Sequence, residues 1–372
     1  MTELLGISII IANYNYERFL AAAIDSALNQ NHPLCEVIVI DDGSTDNSRA
    51  IIEGYGNRIR SIFQETNRGQ MATLNTAWPL ASHPILIFLD SDDLLFAHAA
   101  AAVTQRWTSD TVKIQFPLLT IDKEGRELGA ASPKFPPNLD TATIREELLR
   151  TGCAPNSPGT GNAYSRSLLD RIRADGGLDL DNQRVIFIDA VLECNAPFYG
   201  EIITVYEPLG CYRTHDANET LRYTVDHGRF DKASHDFACK LHYFEQRCRI
   251  WDIPFDLAAA RNRSPWALEC ELAAAKLGSA EARPPKPVFS AVYHAIKAYI
   301  DAPMPAAQRL VHALWFIGVA TTPRQVARYL IAVRFVITQR PAWLERVIKI
   351  AYLPGSRGRR STQTTSKTSW SS

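Results

Sequence analysis

The stretch ILIFLDSDD, residues 85–93, decides the fold: five apolar residues run without interruption and then give way to three carboxylates, Asp90, Asp92 and Asp93. An apolar run of this length, entered through Pro84 and bounded by charge, predicts a strand over 84–89 that is covered on both faces, as in a parallel sheet. Two runs upstream have the same form. Ile7 to Ala12 ends on Asn13-Tyr14-Asn15, and Glu36 to Ile40 ends on Asp41-Asp42. Between them Phe19, Leu20, Ile24, Ala27 and Leu28 recur at helical spacing until His32-Pro33 closes the segment. DDGSTDNS (residues 41–48) supplies several cap-forming residues to open a second helix, residues 60–63 read as a short strand, and 70–77 as a helix. Strand and helix alternating in this way predict an α/β fold with a mostly parallel sheet flanked by helices. Ligands of such sheets bind beyond the carboxyl ends of the strands. All three ends here are polar or acidic, so they predict one shared site.

Further along the chain the pattern loosens. Residues 110–215 concentrate Pro, Gly and Asn between Pro133 and Gly161, followed by a helix near 165–174. Beyond about 225 the spacing is helical, interrupted by RPPKP at 283–287, with helices expected over 288–300, 306–319 and 324–338. The expected division is a catalytic domain over 1–225, a helical extension over 226–354 that is basic from about 286, and a disordered tail over 355–372.

With 40 basic and 40 acidic residues the chain has no net charge and gives no reason to expect a nucleic-acid partner. The charge is uneven, however: from Lys286 to Ser372 thirteen Lys or Arg stand against Asp301 and Glu345. Seven scattered cysteines without a Cys-x-x-Cys pair read as reduced thiols. MTELLGISIIIANYN lacks the pattern of a secretory signal, and a cytoplasmic location is expected.

An Asp-x-Asp-Asp cluster at a strand end offers hard oxygen ligands for a divalent ion, although alone such a cluster is as often a turn or a helix cap. Its company narrows the reading. ISIIIANYN, EVIVIDDGSTDNS, TNRGQMATLNTAW and ILIFLDSDD, in that order within residues 7–95, together resemble glycosyltransferase family 2, whose catalytic domain has the GT-A fold. The resemblance implies a metal-dependent, inverting transfer of a sugar from a nucleotide-sugar, a UDP-sugar by expectation, to an acceptor hydroxyl. It implies donor contacts from Ala12, Asn13, Tyr14, Asp42, Asn67, Gly69, Asn75, Asp90, Ser91 and Asp92, with Asp42 on the uracil ring. Mn²⁺ or Mg²⁺ would be held by Asp92, Asp93 and His215, the last within LGCYRTHDAN, where Arg213 would face the phosphates.

Inversion needs a base on the face opposite the leaving diphosphate. By resemblance, Asp189 in RVIFIDAVLECN takes that role, although Ile188 stands where the family often has an acid; Asp179 or Asp181 is the fallback. Family habit points to a glycan or lipid-linked acceptor and to surface-polysaccharide assembly. Basic and aromatic residues mixed at helical spacing, among them Arg309, Trp315, Phe316, Arg328, Tyr329, Arg334 and Phe335, fit either a peripheral membrane surface or packing on the core. A catalytically silent scaffold is the alternative. A Rossmann dehydrogenase is excluded by ANYNYE standing in place of a glycine fingerprint after the first strand.

Overall fold

A computed structural model of the chain describes residues 4–129, 131–178, 187–215, 225–278, 288–302 and 305–335. Asp179, Asp181, the 283–287 segment and the tail expected from 355 lie outside the described residues. In chain order the elements are β1 (Ile7–Asn13), α1 (Glu17–Leu28), β2 (Cys35–Asp41), α2 (Ser48–Gly54), β3 (Arg60–Phe63), α3 (Gln70–Ala77), β4 (Ile85–Asp90), β5 (Leu94–Leu95), α4 (Ala99–Arg106), β6 (Thr111–Gln115), β7 (Leu118–Ile121), α5 (Thr141–Thr151), β8 (Asn162–Ser165), α6 (Arg166–Ala174), α7 (Ile188–Tyr199), β9 (Glu201–Thr204) and β10 (Gly210–Arg213). Six helices follow: α8 (His227–Ile250), α9 (Leu257–Arg263), α10 (Pro265–Leu277), α11 (Val288–Asp301), α12 (Ala306–Thr321) and α13 (Arg324–Phe335).

Seven strands form one sheet in the order β3-β2-β1-β4-β8-β6-β9, parallel except for β8, which runs against β4 and β6. The apolar runs fill both faces. Ile7, Ile9 and Ile11 enter one core cluster and Ile10 the other; Ile85, Ile87 and Leu89 divide from Leu86 and Phe88 in the same way. Register matters most for the site. Asn13 pairs with Asp41 and Ala12 with Asp90, so the polar ends of three strands finish level with one another.

The loosely patterned region 110–215 holds β6 to β10 and α5 to α7. Its strands escape a periodicity reading because TVKIQ, buried at all five positions, alternates polar with apolar residues as a half-exposed strand would. A second sheet, β5-β10-β7, carries the chain from β10 back toward the end of β4.

The helical extension shares the core of the sheet domain. Tyr243, Phe244 and Cys248 of α8 lie in one apolar cluster with Leu168, Ile172 and Leu192. Farther out, Glu269 of α10 ties four helices together: Tyr299 of α11 donates to it at 2.7 Å, His312 of α12 lies at 3.1 Å, and Arg334 of α13 pairs with it at 3.0 Å. Burial pushes this carboxyl up, but Arg334 and His312 outweigh burial and hold it below its ordinary range. Its stabilising contribution is therefore present above the unfolded-state pKa and lost as pH falls through the folded one. Glu269→Gln should cost about 1–3 kcal/mol by removing the buried carboxylate that Tyr299, His312 and the half-buried Arg334 share, read as a lower urea midpoint at pH 7. The deficit should shrink on acidification.

Trp315 donates to the Leu330 carbonyl at 2.8 Å, and Phe316 and Phe335 pack inward. Tyr293, Ile300, Leu310, Leu314 and Tyr329 remain exposed. No helix among the described residues is long and apolar enough to cross a membrane.

Candidate active site

The aligned strand ends build the site. Asn13, the last residue of β1, donates to Asp41 Oδ1 at 3.0 Å and to Ser44 Oγ at 3.1 Å, while Asp41 Oδ2 accepts from the Ser44 amide at 3.0 Å. This locks the β1 and β2 loops together. Asp42 accepts from the amides of Arg68 and Gly69 at 2.8 and 2.9 Å, so its carboxylate shapes the loop that leads into α3. Gly69 has φ +85°, a conformation that favours glycine. Ala12 is half-buried, Tyr14 is exposed at the mouth of the site, and Asn67 is exposed with its side chain accepting from the Gly69 amide at 3.1 Å. Asn75, in the last turn of α3, spends its side-chain oxygen on Trp78 Nε1 at 3.3 Å.

Beyond β4 the four acidic-loop residues diverge. Asp90 is half-buried, and Ser91 is buried. Asp92 Oδ2 lies 2.9 Å from His215 Nε2. Asp93 is 1% exposed and has both oxygens engaged inside the fold, Oδ1 by the Arg213 amide at 2.8 Å and Oδ2 by Thr160 Oγ1 at 2.7 Å. Burial, with Asp92 next to it, pushes the Asp93 carboxyl well above the usual range. Among the three expected metal ligands, Asp93 thus acts as a strut between loops. Asp92 and His215 are left facing each other.

β10 delivers His215, whose ring packs 4.7 Å from Phe19 and 5.7 Å from Tyr16 between centroids. Arg213 turns inward. Its Nε donates to the Asp92 carbonyl at 2.7 Å, its guanidinium covers Phe19, and the residue is 5% exposed, because β10 ends against the acidic loop rather than in the open cleft.

The two halves of the site are joined by the loop Gly159 to Asn162, which, with Gly176-Gly177, the family resemblance implies to be an acceptor-side loop, a plain turn being the alternative reading. The tight turn Gly159–Gly161 ahead of β8 touches three carboxylates. Thr160 Oγ1 donates to Asp93 and accepts from the Asp90 amide at 3.1 Å, and a methyl group placed on Gly159 would sit 2.7 Å from Asp90 Oδ2. On the other side the Gly159 amide faces the carboxyl of Asp189. Asp189 lies in the first turn of α7, half-buried, and burial pushes it up to about 6. The glycines of GTGN (residues 159–162) are the sequence signal, since a Cβ on Gly159 would meet the Asp90 carboxylate and one on Gly161 would meet Ser157 and the Phe116 carbonyl.

Residues 8–173 match the family described as Glycosyl transferase family 2. Residues 8–173 belong to glycosyltransferase family 2. An uncharacterized glycosyltransferase of Nostoc sp. strain PCC 7120 is 37% identical over 221 residues, which is 57% of this chain and 66% of the relative. The UDP-Glc:alpha-D-GlcNAc-diphosphoundecaprenol beta-1,3-glucosyltransferase of Escherichia coli is 39% identical over 93 residues, 25% of this chain and 37% of that protein. The chain thus spans a little under two thirds of the first relative and far less of the second. S. aureus TarS, solved with UDP-GlcNAc, aligns over 89% of this chain and 91% of its own at 16% identity, with a TM-score of 0.49, a likeness too weak to carry any inference about ligands. Family membership and the observed topology agree on the GT-A fold: a mostly parallel sheet whose strand ends carry the acidic loop, followed here by helices.

Proposed function

We propose that this family 2 chain is an inverting glycosyltransferase that takes a UDP-sugar and passes the sugar to an acceptor hydroxyl. The observation that carries the reading is the Gly159 turn, which sets a donor-end carboxylate, Asp90, and a half-buried carboxyl of raised pKa, Asp189, on the two sides of one residue. An inverting displacement needs this division, with leaving-group chemistry on one face of the sugar and a proton acceptor on the other.

In this reading Ala12, Asn13, Tyr14, Asn67, Gly69 and Asn75 line or support the nucleoside pocket. Asp42 holds the 68–69 loop and presents what remains of its hydrogen-bonding capacity to the base. Asp90 and Ser91 flank the sugar and ribose. Asp189 withdraws the proton of the acceptor hydroxyl as the new bond forms, and its position in the first turn of α7 favours the ionised form it needs to begin.

Among the described residues no three His, Cys, Asp or Glu side chains are grouped to hold an ion. A Mn²⁺ or Mg²⁺ of the phosphate-bridging kind needs only one or two protein ligands, the rest being water and phosphate oxygens. Asp92 Oδ2 and His215 Nε2 fit: their 2.9 Å separation is close to the roughly 3 Å between neighbouring ligands of an octahedral ion at about 2.1 Å. Such an ion, when bound, supplies positive charge to the leaving diphosphate. The exposed apolar side chains of α11 to α13, with the basic residues around them, are compatible with a lipid-linked acceptor met at a membrane surface.

Calorimetric titration of UDP, GDP and dTDP, with Mn²⁺ and again with EDTA, tests the donor assignment. UDP should bind selectively and only with the ion. Preference for GDP or dTDP would change the donor class, and a folded protein that bound none of the three would overturn the transferase reading in favour of a silent scaffold.

A further inference from the structure

Behind Asp189 lies a buried charge cluster that the proposed chemistry leaves unused. Lys113, in the middle of β6, is 2% exposed and donates to Asn156 Oδ1 at 2.5 Å. Its ammonium stands 5.6 Å from the centre of the Tyr164 ring. It feels both Asp189 and Glu193 electrostatically but makes no ion pair with either within 4.0 Å. One helical turn beyond Asp189, Glu193 is already satisfied by Lys240 of α8 at 2.7 Å and by the Ala154 amide at 3.0 Å. The groups facing Asp189 are therefore Lys113 from β6, Tyr164 from β8, the Gly159 amide, and Glu193 from its own helix with Lys240 behind it.

We infer that Lys113 is a positioning residue for the base: Asn156 holds its ammonium near Asp189 without an ion pair, so that Asp189 stays ionised while no ammonium competes with the acceptor hydroxyl for its carboxylate oxygens. A direct ion pair would occupy those oxygens and weaken the base. Without the lysine, burial beside Glu193 would leave a larger fraction of Asp189 protonated near neutral pH. The geometry sits between these extremes. Burial pulls Lys113 itself down to about 8, against the opposing pull of Glu193 and Asp189. Its influence therefore has an upper pH limit.

The inference rests on Asp189 being the base, and the two ideas fail separately. If Asp189→Asn kept full transfer, the base reading would fall and this one with it. If Asp189→Asn is inactive, the pH profiles of Lys113→Met and Lys113→Gln decide the matter, with UDP affinity as the check on folding. The acid limb of the rate profile, near pH 6 in the wild type, should rise by about one unit, giving roughly a five-fold loss at pH 6 that approaches about ten-fold at pH 5. The curves should converge above pH 8, where the wild-type lysine has given up its own proton. A folded variant with an unmoved acid limb overturns the proposal. Carbon-13 aspartate spectra of the wild-type protein give a readout independent of both variants. The carboxyl signal missing in Asp189→Asn should show its main step near pH 6 and a second, smaller one near pH 8 as Lys113 titrates. A single step would equally exclude the coupling.

Discussion

Replacing Asp189 with Asn should leave UDP binding within about two-fold of the wild type and cut transfer by roughly 10²- to 10⁴-fold, the span usually contributed by a positioned general base. The amide has the shape of the carboxylate and still fits the first turn of α7, so the fold has little reason to change. It cannot accept a proton. The donor side lies across the Gly159 turn and does not depend on Asp189 for its geometry: Thr160 holds Asp93, and Arg213 holds the acidic loop. Burial leaves Asp189 with a pKa of about 6, so wild-type activity should fall as pH drops through that value. The residual rate of the variant should lack this limb. Single-turnover rates at saturating donor and acceptor, with UDP affinity measured in parallel, check both halves. Loss of binding together with rate would show that Asp189 supports the fold rather than the chemistry.

The sequence is most readable where a physical demand is met by neighbours in the chain. Strands β1, β2 and β4 are buried on both faces over most of their length, so apart from Ser8 and Glu36, which bond to each other, their interiors are apolar and their ends stand out as polar. Helices α11 and α12 likewise fall within two residues of their expected bounds. Legibility ends where the demand is met from a distance. Asp93 resembles its acidic neighbours in sequence, yet its role as a strut comes from Thr160 and Arg213, 67 and 120 residues away. Arg213 sits in a segment that invites a phosphate-facing reading, but β10 turns it under the acidic loop. Lys113 is a cation between buried Val112 and Ile114, an oddity visible in the sequence; only the fold shows that α7 lies over it with Asp189 and Glu193. The division at residue 225 is similarly a matter of composition, whereas α8 contributes Tyr243 and Phe244 to the core of the sheet.

The contrast between Asp92 and Asp93 gives the sharpest test of the donor side. Asp92→Asn should abolish the metal-dependent part of UDP binding, weakening affinity on the order of 100-fold or more, beyond the 10- to 100-fold usual for loss of an outer-shell partner. Its urea midpoint should fall less than that of Asp93→Asn, because the amide can keep a hydrogen bond to the imidazole of His215 within this buried pair. Asp93→Asn should do the reverse. Its oxygens are bound by a backbone amide and a threonine hydroxyl in a site almost closed to water. An amide nitrogen placed there faces a donor where an acceptor is required, at a cost of about 1–3 kcal/mol. Calorimetry of UDP with and without Mn²⁺, together with a urea melt of each variant, separates the two. If Asp93→Asn lost binding while keeping wild-type stability, the strut and the ligand would have to exchange places. If Asp92→Asn bound UDP normally, the facing pair of Asp92 and His215 would be a structural contact and the charge on the diphosphate would need another partner.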